Sequence, residues 1–367
     1  MMLGQDAQAT TVQGVTPTTL TIGQTAGLDG GKNDYAAATL DGVHASLNGA
    51  NATGGVHGRK VLLKTLDDRN QASLAAANAE QLLKGDDVFV LFGPIEGGPS
   101  TAVAEVAAKQ GVPLFGPIAG SPGLRRPHQP LVFPVRAEHR EEFRALLRYA
   151  RERGQRKVGF LHADTPVGAA HLENVRRLCA AIGMELVCAL ALPPTLDDTG
   201  LATMVKRLAT EAPDIFFNHG SAAAYEKLIR AARSAGLRTT FMGINSGSSQ
   251  LATHLGPLAE GMVFTQVVPS PHERKTEATR DYQASFRAAW PDKPFSYGSL
   301  EGWLTAQALL AALKLAGRQP TRASFIAGLR NVTLTVSGLS IRYAPGEHTG
   351  MTFVDLSMYS RDRRFIH

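Results

Sequence analysis

A five-residue string occurs twice in this chain: Leu91-Phe92-Gly93-Pro94-Ile95 returns as Leu114-Phe115-Gly116-Pro117-Ile118. Each copy closes an apolar run, with Val88-Phe89-Val90 before the first and Val112-Pro113 before the second. Small residues and a proline follow each, Gly97-Gly98-Pro99-Ser100 and Gly120-Ser121-Pro122. Unbroken apolar runs separated by helix-like stretches read as parallel strands in β-α units. Residues 101–110 between the copies are alanine-rich, and Pro99 sits where a first-turn proline is tolerated. Two neighbouring strands therefore end at one edge of a sheet, each meeting a loop poor in side chains. In open α/β sheets that edge binds ligands, and free helix N-terminal amides there favour an anionic group.

The same alternation runs along the chain. Strands are expected at residues 18–24, 61–66, 88–92, 112–115 and 131–136, with helices at 35–50, 73–84 and 101–110 between them. A second alternation occupies residues 141–243, and further helices follow at 276–290, 300–316 and 321–329. At 367 residues the chain is too long for one small core. Two doubly wound α/β lobes facing each other across a cleft are the natural reading.

Composition removes other classes. Charged residues make up 19% of the chain, and its net charge of +6 comes from scattered lysines and arginines. Without a basic block interleaved with aromatics, nucleic-acid binding is not expected. No apolar stretch reaches the roughly 18 residues needed to span a bilayer, so direct membrane insertion is not expected either. Residues 1–17 are polar, lack the apolar core of a signal peptide, and are expected to be flexible. Cys179 and Cys188 read most simply as buried thiols, a disulfide staying open. No metal or other cofactor is expected. A nucleophile elbow, a His-Glu-x-x-His and a P-loop are all missing, so catalysis is not expected.

The series Gly42-Val43, Asn51-Ala52-Thr53-Gly54-Gly55-Val56-His57-Gly58-Arg59-Lys60-Val61, Leu66-Asp67-Asp68 and Ala77-Asn78 resembles the leucine/isoleucine/valine-type periplasmic binding proteins. These are the type I solute-binding subunits of ABC importers. The resemblance continues through Val112-Pro113, Leu124-Arg125 and residues 133–142 and 297–317. It implies two lobes joined by a three-strand hinge: residues 18–133 and 270–336 in the first, 134–269 and 337–367 in the second. The third crossover would be residues 333–340. A bacterial, exported, periplasmic monomer is implied, its signal peptide absent from this sequence, which hands a solute to membrane permease subunits. A ligand-sensing receptor of the same fold is the alternative.

The first-lobe ligand candidates are Gln24, Thr25, Glu96, Gly97, Gly98, Ser100, Ile118, Ala119, Gly120 and Ser121. The second lobe offers Thr165, Val167, His219, Ser221, Asn245 and Ser246. The resemblance implies a serine and a threonine for the ligand carboxylate, where this chain has Gly97 and Gly120. It implies a glutamate for the ammonium where this chain has Asn245, and a tyrosine near Gly220 and Ser221. A desolvated ammonium without an ionised partner costs several kcal/mol. The departure argues against an ordinary α-amino acid with a free ammonium unless Glu96 supplies the charge; the expected solute is a small polar or carboxylate-bearing molecule: an amino acid, an amide or a related organic acid.

Overall fold

The structure, a computed structural model, describes residues 12–28, 34–245, 247–330 and 332–367. The first lobe is built from β1 (Thr19–Ala26), α1 (Asp34–Ala52), β2 (Lys60–Asp67), α2 (Ala72–Lys84), β3 (Val90–Phe92), α3 (Gly97–Gln110), β4 (Leu114–Phe115) and β5 (Val132–Phe133). Its strands form one sheet in the order β2-β1-β3-β4-β5. The repeated string is paired with itself. Leu91 lies opposite Leu114 and Phe92 opposite Phe115, and an Ile95–Ile118 bridge extends the pairing past both prolines. Leu91, Phe92, Leu114 and Phe115 are all buried, as strands covered on both faces should be.

The second lobe alternates α4 (His139–Glu152), β6 (Lys157–Ala163), α5 (Pro166–Ile182), β7 (Glu185–Leu192), α6 (Asp198–Glu211), β8 (Ile215–His219), α7 (Ala222–Ser234), β9 (Thr240–Gly243), α8 (Ser248–Leu255) and β10 (Val263–Gln266). The chain then returns to the first core through α9 (Glu277–Ala289), α10 (Tyr297–Leu315) and α11 (Arg322–Leu329). Helix α10 is buried on nearly every side, which its run of leucine and alanine permits. It lies against α1 with almost no side chain between. A Cβ on Gly302 would stand 2.0 Å from the Thr39 carbonyl oxygen, and one on Gly42 would stand 1.9 Å from that of Ser299.

Past α11 the structure departs from expectation. Residues 333–340, read as the third crossover, belong to β11 (Thr333–Val336) and β12 (Leu339–Ala344), which with β13 (Glu347–Gly350) make a separate antiparallel sheet. Leu334, Val336, Ile341, Tyr343 and Met351 pack in the first lobe's core. The chain therefore enters the second lobe about residue 351 rather than at 337. The apolar alternation of a hairpin strand and that of a crossover strand are the same in sequence, so the pattern could not separate them. Two antiparallel strands, β14 (Asp355–Tyr359) and β15 (Phe365–Ile366), complete a seven-stranded sheet in the order β15-β14-β10-β9-β8-β6-β7.

Three segments join the lobes, at residues 134–138, 267–276 and 351–354. The first and third touch, the Met351 amide donating to the Val135 carbonyl oxygen at 2.8 Å. Residues 12–17, within the stretch expected to be flexible, are attached: Val15 bridges to Leu20, and Arg322 donates to Gln13 Oε1 at 2.7 Å. Residues 1–11 lie outside the described residues. Cys179 and Cys188 are free and buried, and burial pushes both thiols up to about 12. Among the described residues no helix is long and apolar enough to cross a membrane.

Candidate functional site

The carboxyl ends of the two parallel sheets face each other, so the helices that follow those strands begin at the interface. A cavity of about 380 Å³ lies there, lined by the starts of five helices. The first lobe contributes Asp34 and Tyr35 of α1, Glu96 at the start of α3, and Ser296, Tyr297 and Gly298 at the start of α10. The second lobe contributes Gly220 and Ala222 at the start of α7, with Gly247, Ser249, Gln250, Thr253 and His254 of α8. Ser296 and Ser299 form a reciprocal cap on α10, and Ser221 accepts from the Ala224 amide at 3.3 Å on α7. Neither the α3 start at Glu96 nor the α8 start at Gly247 has a side-chain cap among the described residues. Two helices, one from each lobe, thus begin at the cavity without a side-chain cap.

Beneath the cavity the lobes meet through buried polar side chains. Arg136, on the first crossover, donates to Glu142 Oε1 of α4 at 2.8 Å, and its Nε lies 3.6 Å from Glu301 Oε1 of α10. One guanidinium thus serves a carboxylate from each lobe. Burial works against its charge, but Glu301 and Glu142 outweigh burial and hold Arg136 above its ordinary range. Glu301 is raised, burial dominating over the pull of Arg136 and Tyr35. The Tyr35 hydroxyl donates to Glu301 Oε2 and accepts from Asn245 Nδ2 at 2.8 Å. That last bond joins the first lobe to the second. The Asn245 amide N–H and Thr265 Oγ1 both donate to Glu142 Oε2, at 2.9 and 2.7 Å.

Three imidazoles pack beside this network. Ring centres of His171 and His219 are 3.8 Å apart, His139 and His219 4.5 Å, and His139 and His171 5.4 Å. His139 Nδ1 lies 2.8 Å from Glu142 Oε1. Neither nitrogen of buried His171 has a hydrogen-bond partner among the described residues. Burial first, then the neighbouring cations and rings, push all three well below the ordinary imidazole value. Among the described residues no group of histidine, cysteine and acidic side chains has the arrangement of a metal site.

The residues singled out from sequence divide into three groups. Glu96 lines the cavity; Gly97 and Gly98 open α3 beside it; His219 and Ser221 flank the lining Gly220; and Asn245 lies just below, bonded to Tyr35. A second group is buried within its own lobe. Gln24 donates to the Gly93 carbonyl oxygen at 2.7 Å and Thr25 to Asp68 Oδ2 at 2.9 Å, while Ser100 donates to the Pro94 carbonyl oxygen at 3.0 Å. Ile118, Ala119 and Ser121 are buried, and a Cβ on Gly120 would strike the His139 ring at 2.8 Å. Gln24 and Thr25, expected at the cleft, instead fasten the first sheet internally. The third group stands away: Thr165 caps α5 through the Gly168 amide, and Val167 is exposed. Ser246 lies outside the described residues. Sequence reasoning missed Tyr35, Arg136, Glu301 and His171. A signal existed for Glu301, a lone acid inside the apolar run Leu300-Glu301-Gly302-Trp303-Leu304.

The chain belongs to the periplasmic binding protein family, whose model matches residues 19–359. Within it the chain is of type I and similar to leucine/isoleucine/valine-binding proteins. It is 23% identical over 234 residues to the Leu/Ile/Val-binding protein of Citrobacter freundii, a match spanning 63% of each chain. A possible leucine/isoleucine/valine-binding protein from Rhodopirellula baltica superimposes with a TM-score of 0.85 at 22% identity, covering 98% of both chains. A solute-binding protein of an ABC transporter from R. palustris, solved with benzoate, gives a TM-score of 0.78 at 18% identity over 95% of each chain.

Proposed function

We propose that this protein is the extracytoplasmic solute-binding subunit of an ABC importer, a periplasmic monomer that takes up a small polar or carboxylate-bearing solute. One observation carries the reading: five helix starts from both lobes converge on a single cavity between opposed sheet edges. A helix N-terminus carries roughly half a positive charge and stabilises an anion by about 0.3–1 kcal/mol. A carboxylate spanning the uncapped starts of α3 and α8 gains from both lobes at once. The solute therefore favours the arrangement in which the lobes meet, which is how a ligand drives closure. Closure in turn gives the shape that permease subunits recognise. The sequence likeness to Leu/Ile/Val-binding proteins and the fold shared with a benzoate-binding one support amino acids and organic acids as the classes to test.

Calorimetric titration with branched-chain amino acids, their amides and aromatic or aliphatic carboxylates tests this. Binding by a member of one class raises the melting temperature of the folded protein. Asn245→Ala removes the contact joining the lobes at Tyr35, and weakens that binding about tenfold while the melting transition stays cooperative. A protein whose stability none of these solutes changes refutes the reading.

A further inference from the structure

We propose that residues 365–367 clasp the two lobes together, as a fourth and non-covalent connection that fixes how the first lobe's cleft wall meets the second lobe. The clasp goes beyond the solute-capture reading and does not depend on which solute is bound. Its base belongs to the second lobe. Strand β15 pairs with β14, Ile366 opposite Met358 and Phe365 opposite Tyr359. The Phe365 ring meets Phe264 and Tyr359 edge-on, with centres 5.4 and 5.3 Å away. Its reach is into the first lobe. The same ring stands edge-on to Tyr297, the first residue of α10, at 5.8 Å, a separation and angle at which aromatic rings attract. Phe365 therefore packs against the cores of both lobes.

His367 adds a polar hold beside this ring. Its Nδ1 lies 2.8 Å from Asp355 Oδ2, and its Nε2 lies 2.7 Å from the Tyr297 hydroxyl. A carboxylate only accepts, so Nδ1 carries the hydrogen and Nε2 offers a lone pair to the Tyr297 proton. Burial raises the Tyr297 phenol above its ordinary range, so that proton is kept. Ser357 of β14 and Ser270 of the second joining segment engage the same hydroxyl. One first-lobe hydroxyl is thus ringed by groups of the second lobe and of the hinge. The His367 side chain is only 9% exposed, so water competes little for the bond. Tyr297 lines the cleft cavity and residues 365–367 do not. His367 is a positioning residue acting through Tyr297.

Three chain segments tether the lobes, and a contact outside them narrows the angles the lobes can take. Without it the binding-competent arrangement is a smaller share of the whole, and apparent affinity falls by that share. One hydrogen bond shifts such a share by about 3- to 10-fold.

Spin labels on cysteines introduced by Ser340→Cys in the first lobe and Arg177→Cys in the second read the distance between lobes by double electron–electron resonance. Both positions are exposed, whereas Cys179 and Cys188 are buried. No solute is added. In Tyr297→Phe and in His367→Ala, the share of distances outside the wild-type distribution is expected to grow about 3- to 10-fold while the melting transition stays cooperative. The double variant grows no further than Tyr297→Phe alone, since both changes remove the same bond. Arg361→Ala breaks an ion pair with Glu260 on the same hairpin but inside the second lobe, and leaves the distribution as in the wild type. An unchanged distribution in Tyr297→Phe and His367→Ala, or an equal widening in Arg361→Ala, overturns the clasp. A protein that shows the expected widening yet binds none of the solutes titrated above refutes solute capture and leaves the clasp standing.

Discussion

Buried imidazoles with no partners make an acid-sensitive fold, and His171→Phe isolates the effect. Both ring nitrogens of His171 lack hydrogen-bond partners among the described residues, and the ring packs against Phe143, His139 and His219. Burial, then the His219 and His139 rings, push it far below the ordinary value of 6.5. The sign follows from linkage. A group whose folded-state value is depressed contributes stability above its unfolded value and loses it as pH falls below that value. Unfolded His171 takes up a proton below 6.5 and the folded residue does not. One pH unit below that point the native state has lost about 1.4 kcal/mol, and each further unit costs about the same. Phenylalanine cannot titrate. Near neutral pH the substitution exchanges two unpaired nitrogens, worth about 1–3 kcal/mol, against slight overpacking of similar size, so little net change is expected. Urea unfolding about one unit above and one unit below 6.5 measures the difference. The variant should gain about 1.4 kcal/mol on the wild type at the lower pH relative to the higher. An identical difference at both would refute the reasoning, since it would mean His171 is protonated or solvated in the native state.

Two other substitutions probe the scaffold. Arg136→Met leaves Glu142 and Glu301 buried without their shared cation and should lower stability by about 3–5 kcal/mol in urea unfolding; adding Glu301→Gln to it should recover part of that loss. Gly302→Ala drives a methyl into the Thr39 carbonyl and should cost about 1–3 kcal/mol by the same measurement, because backbone rather than a movable side chain stands in the way.

The fold was largely legible because its signal is local. The paired strings at Leu91 and Leu114 announce parallel neighbours, and their register confirms it. Gly54, Gly55 and Gly58 all adopt positive φ between α1 and β2, the conformation glycine alone takes without strain. The site was less legible, for a physical reason. Loop position predicts which backbone reaches the sheet edge, but not which side chains turn inward. Gln24 sits in the expected place, yet its amide is consumed by Gly93 and Thr65 within the lobe. Arg125 is buried and donates to the Arg136 carbonyl oxygen at 2.9 Å, although an arginine is ordinarily a surface residue. Tyr225 is buried and places its hydroxyl 2.8 Å from two strand carbonyls. Tyr35 and Glu301 lie 266 residues apart and meet only because α1 and α10 touch glycine to backbone.

The displaced third crossover bears on how the halves can move. With β11, β12 and β13 held by the first core, four residues remain between Gly350 and Asp355, a reach of only about 13–14 Å at full extension. The first strap is hydrogen-bonded to it, the Met351 amide donating to the Val135 carbonyl oxygen. Such a spine permits pages to swing about one edge but not to slide or drift apart. Any label fixed on residues 339–350 will therefore travel with the front cover, and distances from it to β14 will report the angle of opening and nothing else.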